Sequence, residues 1–204
     1  IGAAPALINA AACFINVIIN TTLYRYGGDI AIGAAGIFTT YTSLIVTVIL
    51  GICQGMQPVI AYNYGARHIH RLKRAFNLSA GVSTLICTAG MALAMIAPDS
   101  IASLFTDDDG LIDVTAKALR TAMTVFLLVG YQIIATAFFQ SIGSAWKSII
   151  LSLSRQVIFL IPLLLTMPGH FGLTGVWMSF PMSDVCAFSV SAGMIIYELK
   201  RLKG

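Results

Sequence analysis

The sequence predicts an all-α, polytopic membrane protein, a bundle of six transmembrane helices. Three observations carry that prediction. Of 204 residues, 58% are hydrophobic and only 10% charged, against roughly 25% charged in soluble domains. Mean hydropathy is +0.89. The apolar residues fall in long runs, and at about 20 residues per crossing the length holds six or seven helices. Helices are required because backbone groups in lipid must be satisfied within the segment. The runs are also too long and too uniformly apolar for barrel strands.

The runs are 3–24, 31–62, 75–97, 114–140, 148–166 and 172–197. Gly27-Gly28-Asp29 separates the first pair, and Asn63-Tyr64-Gly65 with a basic run the second. Pro98-Asp99 and Asp107-Asp108-Asp109-Gly110 follow the third, where the acidic residues suit the N-terminus and dipole of the fourth helix. Gly143-Ser144-Ala145 ends the fourth and Met167-Pro168-Gly169 the fifth. Ile1 opens an already apolar stretch without a basic leader, so no signal peptide is read and a start inside a longer protein is expected.

Charge sets the expected orientation. Arg67, Arg71, Lys73 and Arg74 follow span two, Lys147 follows span four, and Lys200, Arg201 and Lys203 form the tail. These alternate segments are expected in the cytoplasm, with both ends of the chain. The opposite loops carry Arg25 with Asp29, the acidic 99–113 stretch, and His170; Lys117 and Arg120 are exceptions at the outer mouth of span four. The net charge of +4 thus reflects membrane topology and not nucleic-acid binding. A multi-pass protein of the plasma (cytoplasmic) membrane, bacterial in type, is expected, with the lipid bilayer as its first partner.

Polar residues recur at helical spacing. Asn9, Cys13, Asn16 and Asn20 share a face of span one; Gly36, Thr40, Ser43, Thr47, Gly51, Gln54 and Pro58 share one of span two. Gln132, Thr136 and Gln140 align in span four, and Thr174, Trp177, Pro181, Asp184 and Ser191 in span six. Two readings compete: close helix packing through small and hydroxyl residues, or the wall of a polar cavity. The Gly36 to Gly51 face reads as packing. Asn16, Asn20, Gln54, Gln57, Gln132 and Gln140 read as cavity residues, because large amides in lipid need partners or water. Pro58, Pro162 and Pro181 lie inside spans and are candidate kinks, since each removes one backbone bond. The cysteines, Cys13, Cys53, Cys87 and Cys186, all sit in apolar runs and read as small buried hydrophobes.

Two ionisable residues lie deep in the spans, Arg155 and Asp184. Arg155 is 14 residues before Gly169 and Asp184 is 15 after it, so each sits roughly 21–23 Å below the turn at about 1.5 Å per residue. A buried ion pair between them, direct or through one water, is expected as a structural element, because isolated charges at that depth are costly. The rival is a proton or cation relay. No nucleotide-binding loop, metalloprotease motif or nucleophile elbow occurs, and His68 and His70, two residues apart, do not share a helix face. No enzyme, metal site or cofactor is expected.

The stretch Gly51-Ile-Cys-Gln54-Gly-Met-Gln57-Pro58-Val-Ile-Ala-Tyr62-Asn63-Tyr64-Gly65-Ala66-Arg67 resembles the end of the second helix in the C-terminal half of multidrug and toxic compound extrusion (MATE) transporters. Phe139-Gln140-Ser-Ile-Gly143, Ser152-Leu-Ser-Arg155-Gln156 with Ile161-Pro162-Leu163, and Gly172-Leu-Thr-Gly175-Val-Trp177 with Pro181-Met-Ser-Asp184 resemble the family's tenth, eleventh and twelfth helices. The resemblance spans essentially the whole chain. It implies one lobe, 1–204, of a twelve-helix transporter whose second, N-terminal six-helix lobe is its partner. It further implies export of small organic compounds, cationic or amphipathic, by alternating access in exchange for H⁺ or Na⁺. The amides of spans one, two and four would then face the cavity. Some members bind the coupling cation with carboxylates on the first and fourth helices of this lobe. Here span one has none and span four has only Asp113 at its outer mouth, so the coupling carboxylate is expected in the N-terminal lobe. A lipid-linked oligosaccharide flippase of related fold is the alternative; an intramembrane enzyme or a channel ranks below it.

Overall fold

In the computed structural model the backbone is described for residues 3–202 and side chains for 13 and 15–202. The described residues are helical, with no strand. They form α1 (Ala3–Gly65), α2 (Ile69–Ile96), the short α3 (Pro98–Ser103), α4 (Asp109–Ala122), α5 (Leu127–Ser141), α6 (Ala145–Leu153), a π-helical stretch Ser154–Leu160, and α7 (Ile161–Arg201).

Two of these helices are folded legs. At about 1.5 Å per residue the 63 residues of α1 would reach far past a bilayer core of about 30 Å. Gly28 breaks the helix with φ 64° and ψ −158°, a backbone region that essentially only glycine occupies. Asn20, eight residues before Gly28, and Gly36, eight after it, line one cavity, so the legs 3–27 and 29–65 run back along each other. Gly172, at φ 57° and ψ −138°, folds α7 in the same way. The fifth span is therefore α6, the π stretch and residues 161–171; the sixth is 173–201. The turn expected at Met167–Gly169 falls at Gly172, because the helix continues through Pro168.

The third span is α2. It begins at Ile69, so the basic run His70, Arg71, Lys73 and Arg74 forms its first turns and is not a loop. The fourth span, expected unbroken over 114–140, is bent by 61° between α4 and α5. No Gly or Pro lies at 123–126. Thr121 Oγ1 donates to the Lys117 carbonyl at 2.8 Å, and Thr124 Oγ1 to those of Arg120 and Thr121 at 3.1 and 2.8 Å. Such hydroxyls compete for helix carbonyls and bend helices. The α4 N-terminus is capped by Asp108, whose Oδ1 accepts from Gly110 N and Leu111 N at 2.8 and 3.1 Å.

The result is a six-helix transmembrane bundle. Of the most apolar stretches in the long helices, only 22–28% is buried inside the chain. Leu44, Leu85, Ile96 and Tyr197 point outward, as lipid-facing residues do. Inside, Phe138 and Phe139 are fully buried, and Phe76 packs edge-on to Phe138 at 5.2 Å.

Small residues set the close approaches, though not those of the Gly36 to Gly51 face. A Cβ at Gly130 would stand 2.6 Å from the Ser83 carbonyl oxygen, and one at Gly90 2.4 Å from Ile45 Cδ1. Tyr41 O–H donates to the Gly90 carbonyl at 2.8 Å. At Gly36 and Gly51 a Cβ would meet nothing within 4 Å, which corrects the packing reading of that face within this chain. Cys53 and Cys87 are buried as expected, whereas Cys13 and Cys186 are exposed.

Candidate functional site

The cavity wall is built from helix faces. On leg 29–65 the lining positions include Gly36, Ser43, Leu50 and Gln57, with Val46 and Cys53 between them. This stripe repeats every seven residues, the near-vertical seam of a slightly tilted helix. The stripe expected from the sequence drifts one residue off it towards the C-terminus. Gln57 therefore lines a cavity, whereas Gln54, at the edge of the same face, is exposed and lines neither of these two cavities.

Two cavities adjoin along this seam, and the larger of the two has a volume of about 640 Å³, within the range of small-molecule pockets. Asn16 and Asn20 line it from the first leg, and Thr39, Thr40 and Ser43 from the second. The hydroxyls satisfy themselves on their own helix: Thr40 Oγ1 donates to the Gly36 carbonyl and Ser43 Oγ to that of Thr40, both at 2.9 Å. Ala122 and Phe126, at the bend of span four, close one side. Phe38, Trp177 and Phe180 form an aromatic corner with ring centroids 5.6 to 6.3 Å apart. Asn9 belongs to the predicted stripe, but its side chain lies outside the described residues.

A second cavity of about 290 Å³ adjoins, lined by Gln57, Gln132, Thr136 and Gln140. Val46, Arg155 and Gln156 border both. Gln132 is 5% exposed, and its Nε2 donates to the Asp184 backbone carbonyl at 2.6 Å.

Arg155 and Asp184 meet directly: Arg155 Nε donates to Asp184 Oδ1 at 2.7 Å. Asp184 is 3% exposed, while a third of the Arg155 side chain remains accessible. Arg155 sits on the π-helical stretch, just before Pro162. Pro162 has no N–H to close an α-turn on residue 158, and the preceding residues widen into π turns, which cluster at functional sites. The backbone leaves the helical range at Gly28 and Gly172 and not at Pro58 or Pro181.

A second cross-leg ion pair links Lys147 to Glu198, which is 4% exposed, and Lys147 lies 5.5 Å from the Phe139 ring centroid. Sequence reasoning missed this pair, the aromatic corner and Gln156. In the sequence Lys147 reads as a topology marker, and Gln156 stands beside the more conspicuous Arg155. Among the described residues no group of three or more His, Cys, Asp or Glu could hold a metal ion.

This arrangement offers an amphipathic molecule amides, hydroxyls and rings beside the Arg155–Asp184 pair, and among the described residues that line it no nucleophile is paired with a base. The MatE family pattern matches residues 5–166. The multidrug export protein MepA of Staphylococcus aureus is 30% identical over 204 residues, covering 98% of this chain and 44% of that protein. MepA of Staphylococcus saprophyticus is 28% identical over 185 residues, covering 90% and 40%. Among solved structures, the MATE multidrug transporter DinF-BH matches with TM-score 0.83 at 36% identity, over 97% of this chain and 44% of that one. An outward-facing multidrug resistance MATE transporter matches with TM-score 0.92 at 23% identity, over 100% and 46%, and an inward-facing one with 0.88 at 24%, over 100% and 47%; these two likenesses concern the fold. The chain spans about half the length of the curated relatives it matches.

Proposed function

The chain belongs to the MatE family of membrane transporters, and we propose that it forms the C-terminal lobe of a two-lobe, secondary-active exporter of organic amphipathic compounds, cations among them. The observation that carries this reading is the cavity of about 640 Å³. Its wall carries amides, hydroxyls, aromatic rings and the Arg155–Asp184 pair on the legs of two hairpins. Identity of 30% to a multidrug export protein supports it. Likeness to both outward- and inward-facing transporters supports a lobe that keeps its shape while access alternates.

Export against a gradient needs a coupled ion. One charge moving down 100 mV supplies about 2.3 kcal/mol, and H⁺ or Na⁺ is the proposed currency. Among the described cavity residues the one carboxylate is Asp184, already held by Arg155. Asp113 pairs with Lys117 at the surface at 2.6 Å. The coupling carboxylate is therefore assigned to the other lobe. Basic Arg67, Arg71, Arg74, Lys147, Lys200 and Arg201 support an orientation with both ends of this lobe in the cytoplasm. The flippase alternative needs several cations for a diphosphate, and among the described residues that line these two cavities Arg155 is the sole one.

The test is accumulation of fluorescent amphipathic compounds in drug-sensitive bacteria expressing the full-length transporter. Lower accumulation is expected, restored by Asn20→Leu and abolished when the proton or the sodium gradient, tested separately, is collapsed. Accumulation equal to that of cells with an empty vector across a chemically varied panel would sink the proposal.

A further inference from the structure

The start of α2 carries a charge pattern that export does not use. Arg67, Arg71, Lys73 and Arg74, with His68 and His70, crowd into residues 67–74, and no acidic residue occurs between Asp29 and Asp99. Arg71 and Arg74 are exposed and make no ion pair among the described residues. His70, Lys73 and Arg74, with Asn77 and Leu78, line an open hollow of about 730 Å³.

The hollow lies on the membrane side of the lobe. No described α2 residue lines either of the two cavities described above. The buried stripe of α2, from Leu72 and Phe76 to Gly90 and Ala94, packs on α1 and α5. His70, Arg74, Leu78, Gly81 and Leu85 follow one another at steps of four, four, three and four, and so share the outward face. Leu78 and Leu85 are 67% and 69% exposed. Between them a Cβ on Gly81 would meet nothing within 4 Å, which leaves a trough between two leucines directly below the cations.

Depth agrees with this placement. At about 1.5 Å per residue the 28 residues of α2 reach about 42 Å, the length of a hydrocarbon core together with its headgroup layers. The first turns therefore stand at headgroup level and the leucines below them in hydrocarbon. Tyr62, exposed just before the turn into α2, suits the same interface. A soluble anion would use the cations alone, whereas a phospholipid uses cations and trough together.

We propose that the outward face of α2 is a docking site for a net-anionic phospholipid, its headgroup on His70, Lys73 and Arg74 and an acyl chain along Gly81 between Leu78 and Leu85. The site is independent of what the cavity carries.

Native mass spectrometry of the full-length transporter, in non-ionic detergent at low salt, tests it with phosphatidylglycerol and phosphatidylcholine of identical chains. At about fivefold for each basic side chain near the headgroup, the wild type is expected to favour phosphatidylglycerol by about 25-fold. Arg74→Gln should reduce that preference to about fivefold, and Lys73→Gln with Arg74→Gln should erase it. Lys200→Gln with Arg201→Gln removes the same charge from the tail and should leave the preference within about twofold of wild type. Equal wild-type affinity for the two lipids overturns the proposal, as does a preference that survives the Lys73 and Arg74 changes. Equal loss in the tail variant overturns it too, by showing bulk charge and not a site. Displacement of phosphatidylglycerol by an equal concentration of glycerol phosphate would reveal a soluble-anion site and overturn it as well.

Discussion

The two glycine-broken hairpins, 3–65 and 145–201, share a device and differ in what joins their legs. Both turn at a glycine with positive φ, 64° at Gly28 and 57° at Gly172. In the first hairpin the facing residues are neutral, and their hydroxyls bond back to their own helix. In the second, Arg155 reaches Asp184 and Lys147 reaches Glu198 across the legs. The first hairpin keeps its polar surface open, and that surface is the cavity wall. The second ties itself together and serves as the rigid back wall. Polar groups inside a membrane therefore do opposite jobs according to whether their partners lie on the same helix or the next one.

The largest effect expected from breaking this contrast is at the central pair. Arg155→Met leaves a buried, uncompensated Asp184, at a cost of about 3–5 kcal/mol. Asp184→Asn leaves an arginine that is a third accessible and costs less. Thermal unfolding in detergent, followed by Trp146 and Trp177 fluorescence, should rank Arg155→Met well below Asp184→Asn, with the double variant recovering part of the loss. If Asn20→Leu in the open hairpin lowers the midpoint as much as Arg155→Met, the contrast fails.

Next comes the second turn itself. A Cβ on Gly175 would stand 2.5 Å from the Met167 carbonyl oxygen and 2.7 Å from its carbon. These are backbone atoms that cannot swing away. Gly175→Ala should cost about 1–3 kcal/mol by overpacking, read as a lower unfolding midpoint. An unchanged midpoint would mean the turn has slack. Glu198→Gln is expected to cost about 1 kcal/mol, because Lys147 is partly exposed and the amide still accepts a hydrogen bond. The matching measurement is faster amide exchange over residues 195–201, with the Arg155 region unaffected.

Much of this contrast could be read in the sequence. Gly28, Gly143 and the Asp108 cap are where turn chemistry places them, because positive φ and N-capping have few alternative residues. The Arg155–Asp184 contact followed from comparable distances to a turn, although the turn lies three residues beyond Gly169. Arg155 is 17 residues before Gly172 and Asp184 only 12 after it. The π turns, which climb less per residue, and the long Arg155 side chain close the difference. The 61° bend in span four was hidden because threonine hydroxyls and not Gly or Pro make it, and threonine elsewhere sits in unbent helix. Gln54 falls outside the two cavities of this chain because a strict 3.6-residue face and a seven-residue seam part company after four turns. The Lys147–Glu198 pair joins residues 51 apart, and only the fold of the second hairpin brings them together.

The smallest expected effect has the opposite sign and tests the open hairpin directly. Gly36 lies inside a helix, where glycine costs about 1 kcal/mol relative to alanine. A Cβ there meets nothing within 4 Å. Gly36→Ala should therefore leave the unfolding midpoint unchanged or raise it by the equivalent of up to about 1 kcal/mol. The added methyl projects into the cavity beside Asn20 and Thr40, so affinity for a bulky amphipathic dye should fall while stability does not. Gly175→Ala, the same chemical change in the tied hairpin, loses stability. Were Gly36→Ala to destabilise as much as Gly175→Ala, something would have to pack against that face, and the cavity wall would have to be moved off the first hairpin.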